Sequence, residues 1–413
     1  MPTLLHMKQK SKLNDKVKLR DFKLNALLEI TNAINSRSSI SELLEHYERV
    51  LREHLGIEKL ALFTREQQWS CLVQYGMESQ MLNDSLDESH FTNTSEFSFE
   101  TNNGRESFDL SIPILQNDQP IAYLLVGDTE EEQIRMSPVI KHMKFIQTLT
   151  NILVVAIQNR KFQEESLRQE RVKRELELAA EMQAILLPTS LPKNTQFEVS
   201  AFYKAHQQVG GDYYDFYPYS EQEVMICMAD VSGKGVSAAF LMANFQAFLR
   251  SVFTYNPGSL RDTVLELNKQ VMAAAMGEKY ITVFLASYNH QTRVLKYVNC
   301  GHNPPVLADA QGYTQSLKLG TVGLGMFDEL PKLSEGEVQI SPGSVLVCFT
   351  DGLVETENTL MDEYGTPRLE QTVLSRFQDS VSEINTAILK SLDEFRGDAP
   401  YLDDLALLSC RFH

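Results

Sequence analysis

With 413 residues and a formal charge of −17, the chain has room for two or three domains, and its acidity argues against unspecific contact with nucleic acid. Its five cysteines are dispersed, with no disulfide framework, as expected of a reducing, cytoplasmic compartment. The first twenty residues lack an apolar core of signal-peptide length and no later run approaches a membrane span, so neither a leader nor a membrane anchor is expected.

Residues 1–19 are polar and basic and read as a tail or a fraying helix start. From about Arg20, the run Leu24, Leu27, Leu28, Ile30 and Ile34 has helical period. A second helix is predicted over Ser41–Leu55, with Ser41 as N-cap and Leu43, Leu44, Tyr47, Val50 and Leu51 facing inward. Strands are expected at Lys59–Thr64, Ser70–Tyr75 and Ile112–Val126, the last interrupted by a turn at Asn117-Asp118. Between them, residues 78–107 are polar and poor in aliphatics, a lid or a plain loop. A long helix starts at about Pro138, and over 158–177 its alternating charges without Gly or Pro predict a solvent-exposed face. Val172, Leu176, Ala179, Gln183 and Leu186 then form a short heptad-like stripe interrupted by Gln183, which pairs with a second copy or packs on the C-terminal domain.

The C-terminal half places acidic residues at strand ends. Gly210-Gly211-Asp212-Tyr213-Tyr214-Asp215 has two glycines, an Asp and then an aromatic strand. Val224–Ala229 is a buried-strand run that ends at Asp230 and enters the glycine-hinged turn Val231-Ser232-Gly233-Lys234-Gly235. A helix follows over Val236–Arg250, with Phe240, Leu241, Asn244, Phe245 and Phe248 at helical spacing. Tyr280–Tyr288 and Arg293–Val298 read as a hairpin, and Gly320, Gly323 and Gly325 as a loop rather than a dinucleotide site. Ser344–Phe349 runs into Thr350-Asp351-Gly352, and Asp403-Asp404 precedes the terminal strand Leu405–Phe412. Carboxylates alone, gathered by loops over a sheet edge, suit Mg2+ or Mn2+, whereas zinc would want a spaced Cys or His cluster that this chain lacks. The chemistry such a site points to is hydrolysis by metal-activated water.

Taken together, GGDYYD, ADVSGKG, NCGHNPP (Asn299–Pro305), CFTDGLVE (Cys348–Glu355) and DDLALL (Asp403–Leu408), with the lead-in ELELAAEMQAILLP (Glu175–Pro188), resemble the PPM-type metal-dependent Ser/Thr protein phosphatases in their bacterial SpoIIE-like, RsbU-like branch. The resemblance implies a mixed α/β chain: a helical linker or switch helix over 159–190 and, over 191–413, a four-layer α-β-β-α sandwich binding two Mn2+ or Mg2+ ions. It further implies that Asp212 and Asp230, with the Val231 carbonyl, hold the first metal, that Asp351 and Asp403 complete the second, and that these four aspartates carry catalysis. Asp403 and Asp404 are neighbours whose side chains face opposite ways on an extended chain, and Asp403 is favoured as the ligand. Lys234 is a candidate contact for substrate phosphate, and Asp215, three residues past Asp212, is expected to be structural. The mechanism implied is direct displacement at phosphorus; no Cys-x5-Arg loop or Asp-x-Asp pair points to a phosphoenzyme. The wider family has a His where this chain has Ser232, and His302 reads as part of a turn before Pro304, so the general acid is unassigned.

Residues 20–158 resemble a GAF domain, chiefly in Leu24–Phe63 and from Ile112 through Ile157. That likeness implies a sensor that binds an unidentified small ligand or dimerises, with a homodimer formed through the GAF domain and linker helix; the Asn-Lys-Phe-Asp-Glu signature of cyclic-nucleotide binders is absent. The phosphatase resemblance implies a phosphoserine or phosphothreonine substrate on a STAS-domain anti-sigma-antagonist-like partner, and a linker helix that moves with activation. Two other readings are a catalytically idle scaffold that binds a phosphorylated partner, which would not need all four aspartates, and a two-metal nuclease, which the acidic composition disfavours.

Overall fold

The computed structural model describes residues 3–65, 69–76, 108, 110–117, 119–127, 138–255 and 258–413, so that the polar stretch 78–107 and Asp118 lie outside the described residues. The chain divides into two units, Met1–Gln169 and Glu170–His413, with the division inside the expected linker.

The N-terminal unit begins with α1 (Thr3–Asn35), a single helix that includes the stretch read as a tail. A helix turns by 100° per residue, which sends Ala26 and Ile30 into the core and leaves Leu24 and Leu28 on the exposed side. The second helix, α2 (Ile40–Arg49), starts earlier than predicted: its N-cap is Ser39, not Ser41. Ser39 accepts from the Glu42 amide while the Glu42 carboxylate accepts from the Ser39 amide, a reciprocal box that Ser41 cannot form because Leu44 stands three residues on. A π-helical turn, Val50–His54, follows.

Strands β1 (Lys59–Arg65), β2 (Trp69–Tyr75), β3 (Leu110–Gln116) and β4 (Gln119–Gly127) form one antiparallel sheet in the order β2-β1-β4-β3. Asn117, in the tight β3–β4 connection, has φ 51°, a left-handed conformation that Asn tolerates. Helix α3 (Pro138–Ala184) runs unbroken through most of the expected linker, 159–190, and ends inside it. Its early residues Ile146, Leu149 and Leu153 join Ile30, Tyr47, Leu62 and Leu124 in one core between helices and sheet. The buried Tyr47 hydroxyl meets Thr150 Oγ1 at 2.6 Å, which satisfies a polar group that would otherwise be costly there.

In the C-terminal unit two sheets stack face to face. One holds β5 (Phe197–Lys204), β10 (Val306–Ala308), β11 (Thr314–Ser316), β14 (Val345–Phe349) and β15 (Leu405–Phe412), in the order β11-β10-β14-β15-β5. The other holds β6 (Tyr213–Pro218), β7 (Glu223–Val231), β8 (Ile281–Asn289), β9 (Val294–Cys300) and β12 (Gly320–Thr321), in the order β12-β9-β8-β7-β6, and β13 (Gly336–Gln339) pairs with β9. Alternation along the strands shows the layering. Leu346, Cys348, Leu408 and Cys410 enter the core between the sheets. Val345, Val347, Leu405 and Leu407 point the other way, against α7 (Thr366–Ser375) and α8 (Val381–Arg396). Helices α4 (Val236–Tyr255) and α5 (Leu260–Ala275) cover the second sheet, completing the four-layer α-β-β-α sandwich expected from the resemblance.

Two expectations need correction. Helix α4 is long and apolar enough to cross a membrane, contrary to the reading that no run approaches a span, yet Ala238, Leu241, Met242, Phe245, Leu249 and Phe253 are buried in the core. Phe240 sits on its outer face, 71% exposed, although it belongs to the same apolar run.

Candidate metal centre

Antiparallel pairing explains how carboxylates distant in the chain reach one edge of the sandwich, because the end of one strand and the start of its neighbour lie side by side. Asp212 immediately precedes β6 and Asp230 is the next-to-last residue of β7, and in that pair Tyr213 stands opposite Ala229. In the other sheet Asp351 follows β14, as the first residue of the short helix α6 (Asp351–Val354), and Asp403 precedes β15; there Phe349 stands opposite Leu407. Each sheet therefore contributes two aspartates.

Asp212 is 1% exposed and accepts a 2.7 Å hydrogen bond at Oδ2 from Thr350 Oγ1. Thr350 is itself fixed by the Ala406 amide, which donates to the same hydroxyl at 3.0 Å. Burial, and then the charge of Asp230, hold the Asp212 carboxyl well above the usual carboxylate range. Burial and then Asp351 push Asp230 up to about 7, and its carboxyl lies close enough to that of Asp212 for a hydrogen bond when one is protonated. Asp351 is raised by burial and then by Asp403, against the opposing pull of the Gly352 amide and Lys234.

Asp404, grouped with the ligands from sequence, has another task. Its Oδ1 accepts from the His206 amide at 2.8 Å and its Oδ2 from the Gly211 amide at 2.6 Å, so both oxygens secure the loop that delivers Asp212. Gly210 is obligatory beside it: a Cβ there would come within 2.4 Å of Asp404 Oδ2 and 2.3 Å of the Tyr203 hydroxyl. The same loop is gripped from α3. Gln183 Nε2 donates to the Gly210 carbonyl at 2.6 Å and its Oε1 accepts from the Gly210 amide at 3.1 Å. The residue that interrupts the apolar stripe is thus a polar clamp, and Leu187, one turn on, is buried in the C-terminal core with Leu186 packed against it. The last turn of the stripe packs on the C-terminal domain, whereas Val172, at its start, is exposed.

Of the two positions weighed for a general acid, Ser232 is engaged, and His302 is engaged at one ring nitrogen while its buried Nε2 has no hydrogen-bond partner among the described residues. Ser232 Oγ accepts from the Tyr280 amide at 2.9 Å. His302 is 5% exposed, with Nδ1 at 2.9 Å from Thr282 Oγ1, and burial lowers its pKa to about 4 despite an opposing pull from the Phe349 backbone. Lys234 lies at the site but pairs with Asp403 Oδ2, 2.8 Å from its Nζ. Thr350 and Gln183 were missed as site residues. The only trace in sequence was a hydroxyl next to a strand-end Asp, and a polar residue in an apolar stripe.

Among the described residues no group of three or more Asp, Glu, His or Cys side chains forms a closed metal cage. In this arrangement Asp403 pairs with Lys234 and Asp404 with backbone amides. The donor set nevertheless fits a hard divalent cation, since it is all oxygen and since the burial and mutual repulsion of Asp212, Asp230 and Asp351 are what such a charge would relieve.

A pH dependence follows. Asp212 and Asp230, both raised, must be ionised to serve a cation, so Mn2+ affinity is expected to climb as pH rises through about 7. For stability the sign is opposite. The folded, cation-free protein holds the Asp230 proton more tightly than the unfolded chain, so the stabilisation is full below pH 3.8 and is lost as pH rises through about 7. The gain in Tm on adding Mn2+ should therefore widen from pH 6 to pH 8, which melts with and without the ion will check.

Residues 220–413 match the family model described as Stage II sporulation protein E (SpoIIE). Over 236 residues, 54% of this chain and 68% of the relative, the sequence is 29% identical to the phosphoserine phosphatase RsbU of Bacillus subtilis (strain 168). Over 262 residues it is 26% identical to protein IcfG of Synechocystis sp. (strain ATCC 27184 / PCC 6803 / Kazusa), an alignment covering 57% of this chain but only 41% of IcfG. Among solved structures, the SiaA-PP2C domain of Pseudomonas aeruginosa superposes with a TM-score of 0.52 at 21% identity, covering 60% of this chain and 99% of that domain. The likeness establishes the PP2C-type fold.

Proposed function

We propose that the C-terminal unit, whose residues 220–413 match the SpoIIE family, is a metal-dependent phosphatase acting on phosphoserine or phosphothreonine of a partner protein. The observation that carries this reading is the gathering of Asp212, Asp230, Asp351 and Asp403 from two sheets at one edge, where burial and repulsion raise three of them together. Asp212 and Asp230, with the Val231 carbonyl, would hold one ion, and Asp351 and Asp403 the other. Two Mn2+ or Mg2+ ions would supply water activated at neutral pH and shield the phosphate charge. Thr350 orients Asp212, and Asp404 and Gln183 fix the loop that presents it. With Ser232 engaged by the Tyr280 amide and His302 buried and held neutral, no side chain is assigned to protonate the leaving alkoxide.

RsbU is named a phosphoserine phosphatase, which supports the reaction class; a STAS-domain phosphoprotein as substrate rests on the resemblance of the motifs. Manganese-dependent phosphate release from p-nitrophenyl phosphate and from a phosphorylated STAS-domain protein tests both levels. Tight binding of the phosphoprotein with no release from either substrate would favour the scaffold.

We read the N-terminal unit as a GAF-like sensor and α3 as its link to the site, in a cytoplasmic protein that dimerises. The four-stranded antiparallel sheet beneath α1, α2 and α3 supports the first point, and the Gln183 clamp supports the second. A change in the phase of α3 would move Gly210 and with it Asp212. Gln183→Ala removes two hydrogen bonds to a buried backbone segment, a loss of about 1–3 kcal/mol. It is expected to weaken Mn2+ binding by about five- to a hundredfold if that loss falls on the loop's bound geometry, as read by a Mn2+ titration. Unchanged affinity would dissociate α3 from the metal site.

A further inference from the structure

We propose that Lys234 is a tethered cation that fills the Asp403 position in the metal-free protein and is displaced when a divalent ion enters, delivering its ammonium to the cleft. The inference rests on the metal-centre reading above and adds a competitor built into the chain.

Both oxygens of Asp403 have a partner. Its Oδ1 accepts from the Asp404 amide at 2.9 Å, and its Oδ2 faces Lys234 Nζ at 2.8 Å. The ammonium has a second tether, the Leu402 carbonyl at 2.6 Å. Among the described residues no other ion pair reaches Asp212, Asp230, Asp351 or Asp403. Lys279, the other nearby ammonium, is bound to the Ser232 carbonyl at 2.9 Å.

Two features allow departure. Lys234 and Asp403 are each 41% exposed, so the pair is in contact with water and weak enough to exchange. Lys234 is also flanked by Gly233 at φ 83° and Gly235 at φ 76°, a turn that is open to rearrangement without the steric cost a side chain would impose. In the absence of a divalent ion the ammonium relieves the repulsion between Asp403 and Asp351. Once an ion takes Asp403, the displaced ammonium stands where a phosphate dianion would approach, so that metal loading and anion binding are coupled through one side chain.

The test titrates Mn2+ into the metal-free full chain and reads free aqueous Mn2+ by EPR for wild type, Lys234→Met and Lys234→Arg. The Met variant should bind the weaker of the ions about three- to fivefold more tightly than wild type, the Arg variant no more tightly than wild type. Equal or weaker binding by the Met variant would overturn the inference while leaving the metal centre intact. Failure of every form to bind Mn2+ would overturn the metal-centre reading and this inference with it. A second readout is amine acetylation of Lys234 in the wild-type chain, followed by mass spectrometry: labelling should rise on adding Mn2+, and unchanged labelling would mean that the ammonium is not displaced.

Discussion

Asp230→Asn and Asp351→Asn are each expected to lower manganese-dependent phosphate release by about two to three orders of magnitude or more, with the fold intact. Each substitution keeps the shape of the side chain and removes one negative charge, so what is lost is charge available to a cation rather than packing. Because burial and like charge raise both carboxyls, removing either should also ease repulsion in the metal-free protein. Melting temperature without metal should then hold or rise, while the increase on adding Mn2+ should shrink. This opposition of stability and activity separates a ligand from a structural carboxylate, whose loss lowers both. Turnover near wild type in either variant would refute the assignment.

Arg250→Ala is expected to be the most destabilising single change among the ion pairs of the C-terminal unit. Asp215 is 0% exposed and accepts from Arg250 Nε at 2.8 Å and Nη2 at 3.0 Å, and from the Tyr213 hydroxyl at 2.5 Å. Truncating the arginine strands a buried carboxylate, at a cost of about 3–5 kcal/mol. For a unit of this size that corresponds to a fall in Tm of roughly 6–20 °C. Exposed pairs such as Arg174–Glu170, with side chains 73% and 55% exposed, should change it little. Arg250→Lys keeps the charge but not the two-pronged contact and should fall between. The pair joins β6, which starts just after Asp212, to α4, which starts just after the Asp230 turn, so a weakened metal site is expected as well. Thermal melts and Mn2+ titration of the two variants check both effects.

Local rules read some elements well. The Leu405–Phe412 strand matched at both ends, because an apolar run bounded by acidic and turn residues has few other uses. The start of α3 at Pro138 was also legible, since proline is accepted in the first turn of a helix and rarely further in. Local rules erred at Ser41, where a one-residue signal was preferred to the Ser39–Glu42 reciprocal pair. They also could not tell that Phe240 faces outward, because an apolar side chain announces burial without saying which neighbours supply it.

The amino-acid order alone marked the candidate residues: carboxylates at strand ends, beside glycines, with no spaced cysteine or histidine cluster to compete. Only the folded chain decided their division of labour. Asp403 and Asp404 are indistinguishable in composition and adjacent in sequence, yet one faces Lys234 and the other holds the amides of His206 and Gly211. Thr350 reaches Asp212 across 138 positions and Gln183 reaches Gly210 across 27. Hydrogen bonds and charge repulsion act over a few ångströms of space, and strand pairing, not nearness along the chain, sets those distances.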